Sequence, residues 1–498
     1  MSTIELVERA TRHGPSVAIV SEGKSYTYEE LLVSSASVAA GLLGDQQDLA
    51  MARVGFLVPP GFTYAACQWG IWRAGGIAVP LGLQHPLPEL QHVVEDAGIS
   101  ILVVDPAWQE KLQPLAAAGS LPLLRLDQLL LEESTSLPEI SLDRAAMILY
   151  TSGTTNRPKG VVATHENIQA QTVALIDAWG WTAEDRILHV LPLHHIHGII
   201  NVLTCALWAG ATCEILPGFE VQQVWKRLGS GELSLFMAVP TIYNRLIAAW
   251  QEAAATDQQR LSSGCSQLRL MVSGSAALPI STLESWKSIT GHVLLERYGM
   301  TEIGMALANP LNGLRVPGHV GQPLSNMEVR RVDEDGAIPA DDVPGEIQVR
   351  GPGVFQQYWG NPLATEESFA EGWFRTGDVA VVEEGSYRIL GRSSVDIIKT
   401  GGYKVSALEI EEVLREHDQI VESAVVGLPD EEWGERVAAC LVLEKDGALT
   451  LKELRAWSKE RLAAYKVPSI LLVLEILPRN AMGKVEKPAI KLLFPAAT

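Results

Sequence analysis

The sequence predicts an α/β protein with a large N-terminal domain of mixed sheets flanked by helices and a small, mobile α+β C-terminal domain. The chain has 498 residues, too many for a single hydrophobic core. Apolar strand patterns alternate with helical patterns over residues 1–392, as in layered α/β proteins. The pattern changes after Arg392, and residues 393–498 have the length of one ordinary domain.

The N-terminal domain is predicted from short apolar runs and one helix signal. Val54–Val58 and Ile101–Val104 end at a proline or an aspartate, and Ala146–Tyr150 is a third such run. Runs of this length are typical of buried parallel strands. Thr27-Tyr-Glu-Glu30 is a capping box, so a helix is expected over Leu31–Leu43.

The C-terminal domain follows a short polar segment, Gly391-Arg-Ser-Ser-Val-Asp396, which predicts a hinge near Ser393–Asp396. Ser406-Ala-Leu-Glu409 and Thr450-Leu-Lys-Glu453 are capping boxes that each begin a helix. Strands are expected at three apolar runs: Val421–Leu428, Val437–Val442 and Ile470–Leu477.

Composition excludes several classes of function. The net charge is −20, from 39 basic and 59 acidic residues, which argues against a nucleic-acid-binding protein because phosphate neutralisation needs a basic surface. No apolar run reaches the roughly 18 residues of a membrane span. The first residues are acidic and lack the pattern of a targeting signal, so a cytoplasmic location is expected. The sequence makes no prediction of oligomeric state.

The five cysteines are scattered and include no C-x-x-C pair. This spacing argues against a disulfide framework or a zinc site and favours small, buried apolar residues in a reducing compartment.

The strongest chemical signal is the stretch Tyr150-Thr-Ser-Gly-Thr-Thr-Asn-Arg-Pro-Lys-Gly160, which follows an apolar strand. Glycines expose backbone N–H groups, and these together with hydroxyl donors suit a triphosphate. It is not a Walker A loop, because Pro158 precedes Lys159 and Gly160 follows it. The stretch predicts a phosphate-binding loop of another kind.

This loop closely resembles the phosphate loop of the acyl-adenylate-forming superfamily, which includes AMP-dependent acyl-CoA synthetases. Further motifs follow in the order of that family: Leu191-Pro-Leu-His-His-Ile-His-Gly198, Ser273-Gly-Ser-Ala-Ala277, Tyr298-Gly-Met-Thr-Glu302, Gly345-Glu-Ile-Gln-Val-Arg-Gly351, Trp373-Phe-Arg-Thr-Gly-Asp378, Gly391-Arg392, Lys399-Thr-Gly-Gly-Tyr403 and Pro478-Arg-Asn-Ala-Met-Gly-Lys484. The resemblance spans nearly the whole chain and implies formation of an acyl-adenylate from ATP and transfer of the acyl group to coenzyme A.

The resemblance implies which residues bind the nucleotide. Asp378 binds the ribose, with Arg392 assisting, since a carboxylate can accept two hydroxyl hydrogen bonds. Glu302 with Thr301 contacts Mg²⁺ and phosphate, because Mg²⁺ prefers carboxylate and phosphate oxygens. Further ATP- or AMP-binding residues are implied at Thr151, Ser152, Gly153, Thr154, Thr155, Lys159, Ser275, Ala276, Ala277, Arg297, Tyr298, Gly299 and Met300.

Lys484 is the expected catalytic lysine of the adenylation step, with Thr301 and Glu302. Attack of a carboxylate on a phosphate joins two anions, and a positioned ammonium offsets the charge. By resemblance, the C-terminal domain then rotates and brings Gly401, Gly402 and Tyr403 to line the coenzyme A channel.

Four histidines between His189 and His197 suggest a metal site as an alternative. Their spacing lacks a clear carboxylate or cysteine partner, and a lone H-x-H pair is weak evidence. By family position His195 is instead the residue that lines the acyl pocket.

The acid is predicted from Arg245, which follows Val239-Pro-Thr-Ile-Tyr. A guanidinium in the acyl pocket could pair with a second carboxylate of the substrate; alternatively, Arg245 points to solvent on its helix. Pro240–Arg245, Leu295–Glu302, Arg315–Gly318 and Ser394–Glu409 resemble the malonyl-CoA synthetase branch. That resemblance implies that Arg245 binds the distal carboxylate of malonate, that His195 and Met300 shape a short pocket, and that Arg297 is a second candidate.

Three functions remain open at this point. The first is a malonyl-CoA synthetase, which could also accept methylmalonate. The second is a ligase for another short-chain or aryl acid, such as o-succinylbenzoate or a cinnamate. The third is an adenylation enzyme that loads a carrier protein. Small-molecule substrates are expected in all three, and competition between coenzyme A and a carrier protein would separate the third from the others.

Overall fold

A computed structural model describes residues 4–133, 136–151, 158–445, 447–479 and 484–494. By internal contacts the chain forms two compact units. The first comprises Met1–Arg315, Gln322–Glu328 and Val349–Phe374, and the second comprises Val316–Gly321, Val329–Gln348 and Arg375–Thr498. The second unit therefore contains the predicted C-terminal domain together with earlier segments, and the domain boundary after Arg392 stays a prediction.

The strands, in chain order, are β1 (Val17–Ser21), β2 (Lys24–Thr27), β3 (Arg53–Leu57), β4 (Ile77–Pro80), β5 (Ile101–Val104), β6 (Leu123–Arg125), β7 (Ala145–Thr151), β8 (Lys159–Thr164), β9 (Arg186–His189), β10 (Thr212–Ile215), β11 (Leu235–Ala238), β12 (Leu270–Ser273), β13 (Leu295–Met300), β14 (Gly304–Ala308), β15 (Gln322–Pro323), β16 (Glu328–Val332), β17 (Gly345–Arg350), β18 (Gln357–Tyr358), β19 (Phe369–Ala370), β20 (Trp373–Glu383), β21 (Ser386–Arg392), β22 (Ile397–Thr400), β23 (Tyr403–Ser406), β24 (Ile420–Asp430), β25 (Gly434–Leu443) and β26 (Ile470–Val473).

The α-helices are α1 (Glu5–Thr11), α2 (Tyr28–Leu43), α3 (Phe62–Arg73), α4 (Leu87–Asp96), α5 (Gln109–Gly119), α6 (Leu126–Leu129), α7 (His165–Trp179), α8 (Cys205–Ala209), α9 (Val221–Leu228), α10 (Pro240–Glu252), α11 (Ala255–Gly264), α12 (Ile280–Thr290), α13 (Pro362–Glu367), α14 (Ala407–Leu414), α15 (Leu451–Lys459) and α16 (Lys487–Leu493). A π-helix over His197–Thr204 runs directly into α8.

The first unit contains a nine-stranded sheet in the order β15-β14-β13-β12-β11-β9-β10-β1-β2. The six strands from β13 to β1 are parallel to one another. At the two edges, β2 pairs with β1, β14 pairs with β13 and β15 pairs with β14, all antiparallel. Strands β11 and β12 near the middle of the sheet are buried along their whole length, as expected where helices cover both faces of a parallel sheet.

A seven-stranded sheet in the same unit has the order β18-β8-β7-β4-β3-β5-β6. Its strands β7, β4, β3, β5 and β6 are parallel, whereas β8 and β18 are antiparallel to their neighbours. Strands β7 and β8 pair from Ala145↔Thr164 to Thr151↔Lys159, which fixes the two ends of the predicted phosphate loop next to each other.

The second unit contains a sheet in which β17 lies between β16 and β20 and β21 pairs with β20. A further sheet has the order β23-β22-β25-β24, with β26 parallel to β25. The central strands of this sheet bury both faces, since side chains alternate along a strand. Val425, Ala439 and Leu441 pack in the core cluster that includes residues of α14 and α15, whereas Val426 and Cys440 pack with residues of α16.

The fold class predicted from the sequence is confirmed, and most local signals are accurate. Thr27 and Thr450 make complete capping boxes at the first turns of α2 and α15. Ser406 caps α14 through the N–H of Glu409, but the reciprocal half of the predicted box does not form, because the Glu409 carboxylate pairs with the ammonium of Lys466 at 2.5 Å.

The predicted strands are present, with shifted ends. Strand β24 extends beyond its prediction at both ends, whereas β26 ends at Val473 rather than Leu477. All five cysteines are buried and free, as expected. Across the described parts of the chain, no helix is both long enough and apolar enough to cross a membrane.

Candidate active site

The predicted acyl and nucleotide residues of the first unit follow four adjacent parallel strands. Strands β9, β11, β12 and β13 are neighbours in the nine-stranded sheet, and parallel strands end at one edge, where α/β proteins bind ligands. The segments that follow or end these strands are the histidine segment His194–His197, the start of α10, the loop Gly274–Ala277 and the stretch Arg297–Glu302. Topology thus gathers motifs that lie about a hundred residues apart.

Ser275 connects two of these segments. Its backbone is in the left-handed region, with φ of +68°, and its hydroxyl lies 3.2 Å from Nδ1 of His197. The same hydroxyl accepts a 3.3 Å hydrogen bond from Nη2 of Arg297. A Cβ atom on Gly274 would lie 2.4 Å from Cζ of Arg297, so the glycine allows the backbone to approach the guanidinium. The neighbouring Ala276 and Ala277 are exposed.

Arg297 is a buried cation, with 4% of its surface exposed. Burial lowers its pKa to about 10, so the guanidinium remains charged at neutral pH. Its Nε atom has no hydrogen-bond partner within the described residues. A buried guanidinium without a counter-ion is expensive in free energy, by several kcal/mol, and such groups are typical of sites that bind an anion.

Arg245 lies in the second turn of α10, with an exposed side chain. Its guanidinium carbon lies 4.8 Å from the centroid of the Phe219 ring, a cation–π contact. The structure therefore places Arg245 after β11, as the sequence implies, but in a more exposed environment than Arg297.

Three histidine rings lie together near the end of β9. The ring centroids of His194 and His195 are 4.1 Å apart, and those of His85 and His194 are 4.8 Å apart. Burial and the two neighbouring rings lower the pKa of His194, in that order of importance. Among the residues that the structure describes, no group of three or more histidine, cysteine and acidic residues could hold a metal ion.

The phosphate loop is fixed at both of its described ends by helix α4. The hydroxyl of Tyr150 donates a 2.6 Å hydrogen bond to Oδ2 of Asp96, and Nε2 of His92 lies 3.2 Å from the carbonyl oxygen of Pro158. Burial, followed by the contact with Asp96, raises the pKa of Tyr150. The predicted phosphate ligands Ser152, Gly153, Thr154 and Thr155 lie outside the described residues, whereas Thr151 and Lys159 are half-buried at the paired strand ends.

A tyrosine connects the loop to the predicted magnesium ligand. The Tyr358 hydroxyl donates a 3.0 Å hydrogen bond to Oε1 of Glu302, which is buried. The ammonium of Lys159 lies 5.0 Å from the centroid of the Tyr358 ring. Strand β18 places this tyrosine beside β8, so a carboxylate and a cation of two separate motifs share one aromatic neighbour.

The stretch between Arg297 and Glu302 is close-packed. Tyr298, Gly299 and Met300 end β13 and are half-buried, and Thr301 follows them. A Cβ atom on Gly299 would lie 2.0 Å from the carbonyl oxygen of Gly304, so only glycine fits at that position.

In the second unit, the two residues predicted to bind the ribose form an ion pair with each other. Asp378 on β20 lies opposite Arg392 on β21, and Nε of Arg392 donates to Oδ1 of Asp378 at 3.1 Å. The carboxylate is largely buried and held in place by this bond.

The predicted channel residues form a tight hairpin turn between β22 and β23. Gly401 and Gly402 have φ values of +54° and +84°, the conformation of a two-residue type I′ turn. Both glycines are exposed. Tyr403 stacks on Tyr465, with ring centroids 4.2 Å apart and planes at 6°.

Lys484, the predicted catalytic lysine, is exposed. The residue after it, Val485, pairs with Arg479 in an antiparallel bridge, and the N–H of Glu486 donates to the carbonyl oxygen of Pro478. Lys484 thus directly precedes two residues whose backbones are held against Pro478 and Arg479.

The sequence did not identify Tyr358, His92 or Asp96, all of which contact residues of the predicted motifs. Each lies more than 50 residues from its partner, and none belongs to a glycine-rich motif. No local signal in the sequence could have indicated them.

Comparison with known proteins is consistent with this arrangement. A model of AMP-binding enzymes matches residues 6–359, and a model of the C-terminal domain of AMP-binding enzymes matches residues 409–484. The chain is 46% identical to the mitochondrial malonate–CoA ligase ACSF3 of Xenopus laevis, over 97% of this chain and 91% of that protein. It is 40% identical to the malonate–CoA ligase of Arabidopsis thaliana, over 95% and 86% of the two chains.

A solved structure with a similar fold is that of ATP-bound MatB from Rhodopseudomonas palustris. The TM-score is 0.90 at 32% identity, and the similarity covers 99% of each chain.

The contact between α4 and the phosphate loop predicts a specific effect on nucleotide binding. Tyr150→Phe removes the hydroxyl that bonds to Asp96 and should weaken ATP binding about fivefold, since one hydrogen bond contributes about 1 kcal/mol. Isothermal titration of ATP measures the change. Tyr26→Phe, on edge strand β2 of the other sheet, is the matched control. An unchanged dissociation constant for Tyr150→Phe would contradict the anchoring role.

Proposed function

Because the chain belongs to the AMP-binding enzyme family, we propose that it is an ATP-dependent ligase that joins malonate to coenzyme A. The products are malonyl-CoA, AMP and pyrophosphate. The proposal is supported by 40–46% identity to malonate–CoA ligases along nearly the whole chain. It is also supported by the buried Arg297 in the predicted acid-binding region, whose Nε atom has no hydrogen-bond partner within the described residues.

The reaction consists of two half-reactions. In the first, a carboxylate oxygen of malonate attacks the α-phosphorus of ATP, the bond to the β-phosphate oxygen breaks, and pyrophosphate leaves. In the second, the coenzyme A thiol loses its proton and attacks the acyl carbon, and AMP leaves. The first step joins two anions, so Lys484 and Lys159 are proposed to offset the charge that develops.

The buried carboxylate of Glu302 fits a magnesium ion, which prefers a protein carboxylate together with substrate phosphate oxygens. When bound, Mg²⁺ would neutralise phosphate charge. Within the protein, Tyr358 fixes the orientation of the Glu302 carboxylate through its 3.0 Å hydrogen bond. Thr301 is proposed to contact the phosphates beside it.

The observation that carries the choice of malonate is the environment of Arg297. Its guanidinium is buried, charged, and bonded to a neutral hydroxyl on Ser275. A monocarboxylic acid uses its only carboxylate in adenylation and would leave this cation without an anion, whereas malonate brings a second carboxylate. We assign the distal carboxylate to Arg245 and Arg297, with His195 and Met300 lining the short pocket.

The remaining site residues keep their predicted roles in this proposal. Asp378 and Arg392 bind the ribose, and Ser275–Ala277 line the adenine. The boundary between the N-terminal domain (1–392) and the mobile C-terminal domain (393–498) lies at the hinge Ser393–Asp396. Rotation there would exchange Lys484 for the Gly401–Gly402 turn between the half-reactions.

The compartment is a separate question. The sequence predicts a cytoplasmic location, whereas the name of the Xenopus relative assigns that protein to mitochondria. Fractionation of the source cells with antibodies against this chain decides between the two.

The first prediction from this function separates the half-reactions. Lys484→Ala should reduce malonate-dependent ATP–pyrophosphate exchange at least about 100-fold, because the transition state loses a positioned cation. Thioester formation from preformed malonyl-adenylate and coenzyme A should keep most of its rate. Equal loss of both activities would show that Lys484 has a general role in folding or binding.

Gly402 provides the converse test. With φ at +84°, a β-branched residue there is strained in the type I′ turn, and its side chain would enter the proposed channel. Gly402→Val should therefore block thioester formation and leave pyrophosphate exchange nearly unchanged. Loss of exchange would contradict the channel assignment.

A further prediction concerns the two arginines. Arg297→Met and Arg245→Ala should each lower kcat/KM for malonate about 10- to 100-fold, since a hydrogen bond between charged groups contributes about 1.5–3 kcal/mol. The kcat/KM values of the same variants for acetate and propionate, which lack a second carboxylate, should change less than about threefold. Arg297→Met should also leave the melting temperature unchanged or higher, because it removes a buried unpaired charge.

The same measurements distinguish the alternatives. A uniform loss with all acids for Arg297→Met would mean that Arg297 binds the nucleotide phosphate. Preference for an aryl acid over malonate in the unmodified enzyme would favour the aryl-acid ligase, and transfer to a carrier protein in preference to coenzyme A would favour the loading enzyme.

A further inference from the structure

Two buried side chains and one partly buried side chain of the second unit form an ion cluster outside the residues assigned above. The ammonium of Lys487 lies 2.5 Å from Oδ1 of Asp396 and 2.7 Å from Oε1 of Glu411. The exposed fractions of the side chains of Lys487, Asp396 and Glu411 are 8%, 16% and 8%. One buried cation therefore bonds two carboxylates that are 15 residues apart in the sequence.

Asp396 is the last residue of the proposed hinge. Its Oδ2 atom accepts a 3.0 Å hydrogen bond from the N–H of Arg392, and its own N–H donates to the carbonyl oxygen of Arg392 at 2.7 Å. A Cβ atom on Gly391 would lie 2.3 Å from Cβ of Asp396, so the chain is tightly packed here. Bonds from Asp396 thus close the hinge segment on itself, next to the ribose ligand Arg392.

Lys487 is the first residue of α16 and follows Lys484 by three positions. The same helix buries Ile490 against strands β24 and β25. Val485, the residue after Lys484, pairs with Arg479 in an isolated bridge, and Lys487 lies two residues further along the chain. The ammonium of Lys487 therefore joins the segment that carries Lys484 to the hinge segment.

Glu411 has a different connection. It lies in α14 and also accepts a 2.7 Å hydrogen bond from the N–H of Val425 on strand β24. Glu411 therefore connects Lys487 to the sheet that contains β24. Burial would lower the pKa of Lys487, but Glu411 and Asp396 outweigh burial and raise it, which keeps the ammonium charged. The cluster thus has one carboxylate on the hinge and one on the domain body.

We propose that Lys487 is a positioning residue for adenylate formation, acting through its bond to Asp396 to hold the adjoining Lys484 in a fixed position relative to the hinge. The proposal rests on the role assigned to Lys484 in the proposed function. A cation must lie close to the reacting phosphate to be effective, and small displacements of such a group reduce the rate strongly. Lys487 itself is buried and touches no substrate in this scheme.

The test compares two isosteric variants. Asp396→Asn removes the carboxylate charge at the hinge and keeps the bond to Glu411, whereas Glu411→Gln removes the charge on the domain body and keeps the bond to the hinge. Both leave the lysine with one carboxylate. Asp396→Asn should lower malonate-dependent pyrophosphate exchange about tenfold while thioester formation from preformed malonyl-adenylate changes less than about twofold. Glu411→Gln should leave the ratio of the two activities unchanged.

The melting temperatures of all variants are measured, and a third variant serves as a control. Glu412→Gln, which removes the partly buried ion pair with Arg415 on α14, controls for loss of an acidic charge in this domain. Equal loss of both half-reactions in Asp396→Asn, or the same ratio in both isosteric variants, would overturn the positioning role. Because both variants keep the side-chain shape, folding is expected, and Lys487→Arg, which retains the charge, should keep the wild-type ratio.

Lys484→Ala, measured in parallel, separates this proposal from the proposed function. If Lys484→Ala loses exchange selectively and Asp396→Asn does not, only the role of Lys487 is wrong. If the unmodified enzyme shows no malonate-dependent exchange, or Lys484→Ala retains it, the proposed function fails and the positioning role fails with it.

Discussion

The parallel order of the nine-stranded sheet is the constraint on which the candidate site depends. Because β9, β11, β12 and β13 run side by side in one direction, whatever follows them in the chain lies at one edge. The sequence separates His195 from Glu302 by about a hundred residues, and only the strand order brings their segments together. Glycines 274 and 299 then permit backbone to lie against neighbouring groups at distances that any side chain would prevent.

The features that could be predicted from the sequence are those formed by residues close together in the chain. The capping boxes at Thr27 and Thr450 form because all of their atoms lie within one helical turn. The box at Ser406 is only half formed, since Lys466, nearly 60 residues away, takes the carboxylate of Glu409. The same limit applies to the site. The sequence predicted the motif residues, but it did not predict Tyr358 and Lys487, which belong to no recognisable motif and contact residues far away in the sequence.

Lys487 and Arg297, two of the buried cations, illustrate opposite uses of a positive charge in a chain with a net charge of −20. Lys487 bonds two carboxylates, so its charge is satisfied within the protein and can specify geometry. Arg297 bonds a hydroxyl, and its Nε atom has no partner among the described residues, so its charge remains for a ligand. Truncating one partner of a buried pair costs about 3–5 kcal/mol, whereas removing an unpaired buried charge can stabilise the fold. Stability and activity should therefore respond in opposite directions at Arg297.

The choice of arginine at position 297 follows from the same burial. Desolvation disfavours the charged form of a base and lowers the pKa of Arg297 to about 10, well below the usual value of an arginine. A lysine begins at a pKa of about 10.4, and an equal effect would bring it close to neutral pH, where part of the charge is lost. A lysine would also present a single point charge, whereas the planar guanidinium can bond both oxygens of a carboxylate. At a buried site such as this, only arginine keeps a full charge and offers two parallel hydrogen bonds. In the proposed function, these are the properties that recognition of a second carboxylate requires.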